Sequence, residues 1–191
     1  MANTREISKE EEYMKIYFEE LLEAGIISKI IYQPTPFSLF GKITYMLEKK
    51  LKTKSNFISK TLINDHIYTS DFKVIWNKEI PVSSKFHRDM MDVPCELPPF
   101  LSHNNECWIE VKSWWDNNNM TRLFTSRTQP WVYQKFGIYV NLIKVPDIFK
   151  ETFIPTKILD DFYYKVGGKK FNKGDKKYKF EYRTLNEYLN G

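Results

Sequence analysis

Apolar residues near the start of the chain recur at helical spacing. Met14, Tyr17, Phe18, Leu21 and Leu22 fall three and four apart, the signature of one buried helix face. Ser8 stands before this run with Glu11 three residues later, as in a capping box, and Gly25 follows where a left-handed C′ residue belongs. The pattern predicts a helix over Lys9–Ala24. Beyond it the periodicity changes. Ile26–Tyr32, Ile67–Trp76, Cys107–Val111 and Gly137–Val145 are rich in β-branched and aromatic residues and are predicted as strands, with Phe37–Ile43 as a further extended segment. Thr121–Phe136 is predicted as a helix that Pro130 must start, kink or break. This order of elements predicts an α/β fold with a mixed central sheet flanked by helices.

Punctuation divides the chain further. Residues 77–106 hold several prolines and little periodicity, which predicts a long insertion within a core spanning 1–146. Lys49–Lys60 is expected to be a surface loop or hairpin. From 147 to 191 aromatics alternate with lysines, and Asn172-Lys173-Gly174-Asp175 is a turn signal between two short strands. This predicts a C-terminal extension carrying a β-hairpin, packed on the core or used in dimer contacts.

With 191 residues, 42% of them hydrophobic and 28% charged, the chain is long enough to bury a core of ordinary composition. No apolar stretch reaches membrane-spanning length and no secretory leader is visible, so a cytoplasmic protein with no membrane partner is expected. Cys95 and Cys107 are the only cysteines, and neither has a partner at zinc-ligand spacing. His66, His87 and His103 are scattered, so they are expected on the surface.

Charge changes the picture more. The net charge is +5, unevenly spread. Residues 1–25 hold seven acidic and three basic side chains. Residues 42–60 hold six lysines and one glutamate, and residues 165–183 hold eight basic and two acidic side chains. Two basic segments suit a polyanionic partner. The excess of lysine over arginine, 24 against 5, is equally what AT-rich coding DNA produces.

The chemistry concentrates in Trp108-Ile109-Glu110-Val111-Lys112. Alternation along a strand sends Glu110 and Lys112 to one face and Ile109 and Val111 to the other. Such a pair is either a plain ion pair on an exposed sheet face or a metal ligand beside a water-orienting lysine. Asp71 opens the strand in Tyr68-Thr69-Ser70-Asp71-Phe72. If that strand pairs with the first, Asp71 and Glu110 converge, and two carboxylates with waters suit magnesium or manganese. On the N-terminal helix Glu11 lies on the apolar side and Glu10 at its border. A core-facing acid needs a partner or a metal, so either is a candidate to complete the site, although Glu11 is equally explained by helix capping.

A core-facing glutamate on a first helix, an Asp opening a strand and Glu-x-Lys on the next together resemble the PD-(D/E)XK nuclease superfamily. The Tyr-Thr-x-Asp-Phe and Glu-Val-Lys wording, with Ser8-Lys9-Glu10-Glu11, Gly25 and Gln33-Pro34, is similar to the phage endonuclease I group of Holliday-junction resolvases. The resemblance covers residues 8–145. It implies a restriction-endonuclease-like core and a phosphodiesterase. Asp71, Glu110 and the carbonyl of Val111 would hold the metal, Lys112 would position or deprotonate the attacking water, and Glu11 would assist. It further implies branched DNA as substrate and a homodimer nicking two strands. Two features depart from the family: Ser70 stands where proline is usual, and 39 positions separate Asp71 from Glu110. Gln129 and Tyr133 match a Gln-xxx-Tyr pattern of some branches, with Pro130 inside it.

Around this set, Arg122 and Arg127 are spaced to grip phosphates from a helix, Lys52 and Lys54 to track a DNA backbone, and Trp114 to stack on bases. Each has a plainer reading: a solvated helix face, an exposed hairpin, core packing. The contrasting function is a catalytically inactive nucleic-acid-binding or virion-associated module with a nuclease-like fold.

Overall fold

The computed structural model describes residues 7–52, 54–77, 104–112, 119–158, 164–166, 169–171 and 183–190. The chain opens with α1 (Lys9–Glu23), capped by Ser8, whose Oγ accepts the Glu11 N–H at 3.2 Å. Gly25 adopts φ +67° just past the helix, as expected of a C′ residue. The buried face of α1 consists of Tyr13, Met14, Tyr17, Phe18 and Leu21. Leu22, expected on this face, is exposed, because the 100° step from Leu21 carries it past the edge of the stripe.

Four strands form the central sheet in the order β1-β6-β7-β8. β1 (Ile27–Tyr32) pairs antiparallel with β6 (Phe72–Trp76), β6 antiparallel with β7 (Glu106–Lys112), and β7 parallel with β8 (Val140–Lys144). The sheet is therefore mixed, as the order of elements predicts. Both faces are covered. On one, α1 packs over Phe72, Val74, Ile109, Val111 and Ile143. On the other, Trp108, Val140 and Leu142 pack with Phe37, Leu39, Phe124 and Val132.

The predicted strand Ile67–Trp76 is two strands. β5 (His66–Tyr68) pairs with β2 (Phe37–Phe40) in a separate ribbon, and the chain crosses to the central sheet through Thr69–Asp71 before β6 begins. The lysine-rich stretch, expected as a surface loop or hairpin, belongs to a long hairpin, β3 (Ile43–Lys50) with β4 (Ser55–Ile63), exposed along its whole length.

Pro130 neither ends nor sharply breaks its helix. α2 (Asn119–Leu123) runs into a π-helical turn, Phe124–Thr128, and then α3 (Gln129–Phe136). Proline lacks the N–H and its ring collides with the carbonyl four residues back. The wider turn before it, closed by the Gln129 N–H on the Phe124 carbonyl, accommodates the ring at the head of α3. Gly137, expected to open the following strand, instead caps α3 at φ +66°.

The C-terminal extension contributes to the core. α4 (Val145–Glu151) and the turn Thr156–Ile158 bring Ile148, Phe149, Phe153, Ile154 and Ile158 against α1, and α5 (Leu185–Asn190) adds Leu185. Tyr17 stacks on Phe153 at 4.4 Å and on Phe149 at 5.8 Å, and its hydroxyl meets Thr152 Oγ1 at 3.0 Å. β9 (Tyr164–Val166) and β10 (Lys169–Phe171) pair antiparallel. The predicted turn Asn172–Asp175 and the insertion 78–103 lie outside the described residues. No described helix is long and apolar enough to cross a membrane.

Ile109 sits fully buried at the centre of the sheet under α1. Truncating it removes packed methylenes and leaves a cavity. Ile109→Ala is expected to lower stability by about 2–5 kcal/mol, read from urea denaturation at neutral pH.

Candidate functional site

The site forms where β6 runs out. The ladder pairs Phe72 with Ile109, so the next step sets Asp71 beside Glu110. Past this point the Val111 N–H has no β6 carbonyl to meet. Asp71 fills the gap: its Oδ2 accepts that N–H at 2.8 Å. The carbonyl of residue 71 is turned the other way and accepts the Gln33 N–H at 2.8 Å. Within an extended strand, a residue's N–H and C=O leave on the same side. The Val111 carbonyl therefore faces the edge that carries Asp71.

Glu110 shares a sheet face with Trp108, opposite the face that α1 covers. Its Oε1 accepts from Lys112 Nζ at 2.6 Å and its Oε2 from the Tyr68 hydroxyl at 2.8 Å. Glu110 is 8% exposed and Asp71 2%. The Lys112 side chain is also largely covered, and its ammonium lies 5.9 Å from the Phe124 ring centre. Glu110 and Lys112 do form an ion pair, on a largely covered face rather than an exposed one.

Of the two acids left open on α1, Glu11 is the buried one. Its Oε2 accepts from the Tyr32 hydroxyl at 2.7 Å, while its backbone N–H serves the Ser8 cap. Tyr32 is held at the end of β1, opposite Phe72, with the rings in edge contact at 5.3 Å. Three buried carboxylates thus gather around the start of β6. Two of them, Glu11 and Glu110, each carry a tyrosine hydroxyl, and Asp71 lies close enough to both tyrosines to act on their phenols.

The tyrosines were not legible as site residues. Tyr68 reaches an acid 42 positions away and Tyr32 one 21 positions away, and no local spacing announces either contact. Phe124 is likewise placed by the π-turn.

The flanking residues divide. Arg122 and Arg127 are exposed on the helical segment that carries Phe124. Lys52 and Lys54 are exposed at the tip of the β3–β4 hairpin. Trp114 lies outside the described residues. Gln129 is buried, with its amide donating to the Val140 carbonyl at 2.8 Å, and Tyr133 is exposed, so this pair serves α3 packing and solvent. Cys107 is a buried thiol on the α1 side whose Sγ accepts from Asn141.

Among the described residues no group of three or more His, Cys, Asp or Glu is placed as a metal cage. Asp71 and Glu110 form a smaller set. Two acids with a backbone carbonyl and waters fit magnesium, which keeps much of its hydration.

Burial and the carboxylate partners raise both phenols. Desolvation, then the Glu11 hydrogen bond, pushes Tyr32 from 10.0 up to about 12. Desolvation, then the charge of Glu110, raises Tyr68 far above its ordinary value. Folded values above unfolded ones mean that the folded state keeps protons the unfolded chain has released. The stabilisation is complete below pH 10.0 and is lost as pH rises towards about 12 and beyond. Urea midpoints across this range are expected to fall, and Tyr68→Phe is expected to flatten the fall. At neutral pH the same variant removes a donor from a buried carboxylate and is expected to cost roughly 1.5–3 kcal/mol.

Comparison of the chain with protein families, with curated proteins and with solved structures finds no match in any of the three.

Proposed function

We propose that this chain is a magnesium- or manganese-dependent endodeoxyribonuclease with a PD-(D/E)XK-type, restriction-endonuclease-like core. The observation that carries the reading is the convergence of buried Asp71 and Glu110 with partly buried Lys112 at the end of the β6–β7 ladder. Asp71, Glu110 and the Val111 carbonyl would hold the cation. When bound, it would activate a water and neutralise charge on the scissile phosphate.

The chain's own residues supply the rest. The Asp71 bond to Val111 holds the backbone between the two acids. Lys112 holds Glu110 in place through a 2.6 Å bond from its ammonium, and that ammonium would orient the attacking water. Glu11, held by the Tyr32 hydroxyl, would assist from α1. Phe124 packs against Tyr68 and lies beside the Lys112 ammonium. The exposed Arg122, Arg127, Lys52 and Lys54 supply phosphate contacts. The resemblance noted above directs attention to branched DNA, such as a four-way junction, as substrate.

One observation favours the alternative, an inactive nucleic-acid-binding or virion-associated module. Both Glu110 oxygens are already hydrogen-bonded within the protein, a self-satisfied arrangement that needs no metal.

Labelled four-way junction, duplex and single-stranded DNA, each with magnesium or manganese, separate the two. Cleavage is expected to need the metal, and to fall about 10²- to 10⁴-fold in Lys112→Ala. Asp71→Asn is expected to abolish both cleavage and calorimetric magnesium binding. Cleavage undiminished in Lys112→Ala would overturn the mechanism. Absence of both cleavage and metal binding in the unaltered chain would establish the module.

A further inference from the structure

β7 and β8 run parallel and end together, β7 on Lys112 and β8 on Lys144. Their register pairs these two lysines directly. Lys144 keeps an extended backbone, at φ −112° and ψ 122°, so alternation still governs where its side chain points. Leu142, two residues back, packs in the layer of Trp108 and Phe124, while Ile143 packs in the layer of α1. Lys144 therefore belongs to the face that carries Glu110 and Lys112. Neighbouring strands lie about 4.8 Å apart, within the reach of a lysine side chain.

Across this end of the sheet the charges form a row. Asp71 stands just before β6, Glu110 and Lys112 on β7, and Lys144 on β8. Two carboxylates are thus followed by two ammoniums. Like charges side by side on adjacent strands are unfavourable. Lys112 is compensated, since its ammonium donates to Glu110 at 2.6 Å. Lys144 is half-buried, and among the described residues its ammonium makes no hydrogen bond and no ion pair. A half-covered cation next to another, with no counter-charge of its own, suits an anion from outside the chain.

We propose, on the nuclease reading given above, that Lys144 binds a phosphate oxygen of the DNA strand held at this site. Ligands of α/β sheets settle beyond the carboxyl ends of parallel strands, and Lys112 and Lys144 are those ends. Substrate arriving there meets the acids at one side of the row and Lys144 at the other. Arg122, Arg127, Lys52 and Lys54 sit on a surface helix and a hairpin tip. Lys144 is instead fixed by the sheet itself, in register with the acids.

The test is binding of labelled four-way junction and duplex DNA to the full chain in EDTA, where a metal-dependent site cuts nothing. Lys144→Ala is expected to weaken binding about tenfold at about 0.1 M salt, and to shrink the slope of log affinity against log salt by about 0.9, the share of one phosphate. Lys144→Met, which keeps the apolar stem, is expected to do the same, and Lys144→Arg to keep the slope. Lys29→Ala removes an exposed lysine from β1, at the far edge of the sheet, and is expected to leave the slope alone. Both Lys144 variants are expected to keep the urea midpoint and the calorimetric magnesium binding of the unaltered chain. An unchanged slope in Lys144→Ala and Lys144→Met overturns the proposal, whatever the affinity. So does an equal loss of slope in Lys29→Ala, the mark of net charge alone, and so does an unaltered chain that binds no DNA. A chain that neither cuts DNA nor binds magnesium, yet shows the Lys144-dependent slope, loses the nuclease reading and keeps the phosphate contact.

Discussion

The hydrogen bond from the Val111 N–H to Asp71 Oδ2 is the constraint on which the site depends. It lies just before the first residue of β6, where β7 runs on past it, so a side chain takes over from a backbone carbonyl. A buried N–H left without a partner is costly, and so is a buried carboxylate without a donor. One bond answers both requirements. It also fixes which residues stand beside each other, because a register slip of one would send Glu110 to the α1 side and Val111 into the other layer.

From that point two layers of the fold meet. Below the sheet, α1 brings Glu11 to Tyr32 at the end of β1. Above it, the ribbon β2–β5 brings Tyr68 to Glu110, and the π-turn brings Phe124 over both Tyr68 and Lys112. Each acid is thus held by a different element. The concentration of negative charge is tolerable because each carboxylate accepts a hydrogen bond, from a phenol, an ammonium or a backbone N–H.

The elements that periodicity describes were visible along the chain: α1, β1, β6, β7 and the helical segment over α2 and α3. Each has a local cause, either an alternating or a 3.6-residue repeat with a cap at its end. What local pattern describes poorly is a change of partner. The run Ile67–Trp76 is uniformly β-forming, yet it serves two sheets, because β5 pairs with β2 and β6 with β1 and β7. Short helices such as α4 and α5 were hidden for a related reason: six or seven residues hold too few turns to show a period, and packing on the core stabilises them rather than propensity.

For the site, the chain by itself determined that Glu110 and Lys112 share a face and that Asp71 opens a strand, since both follow from alternation and from strand boundaries. Tertiary structure decided that Asp71 and Glu110 are neighbours, that Glu11 rather than Glu10 is buried, and that Tyr32 and Tyr68 hold the flanking acids. The physical reason is sequence separation. Contacts across 21 to 42 positions depend on register, on strand order and on which layer covers which face, and none of these is encoded in the spacing of nearby residues.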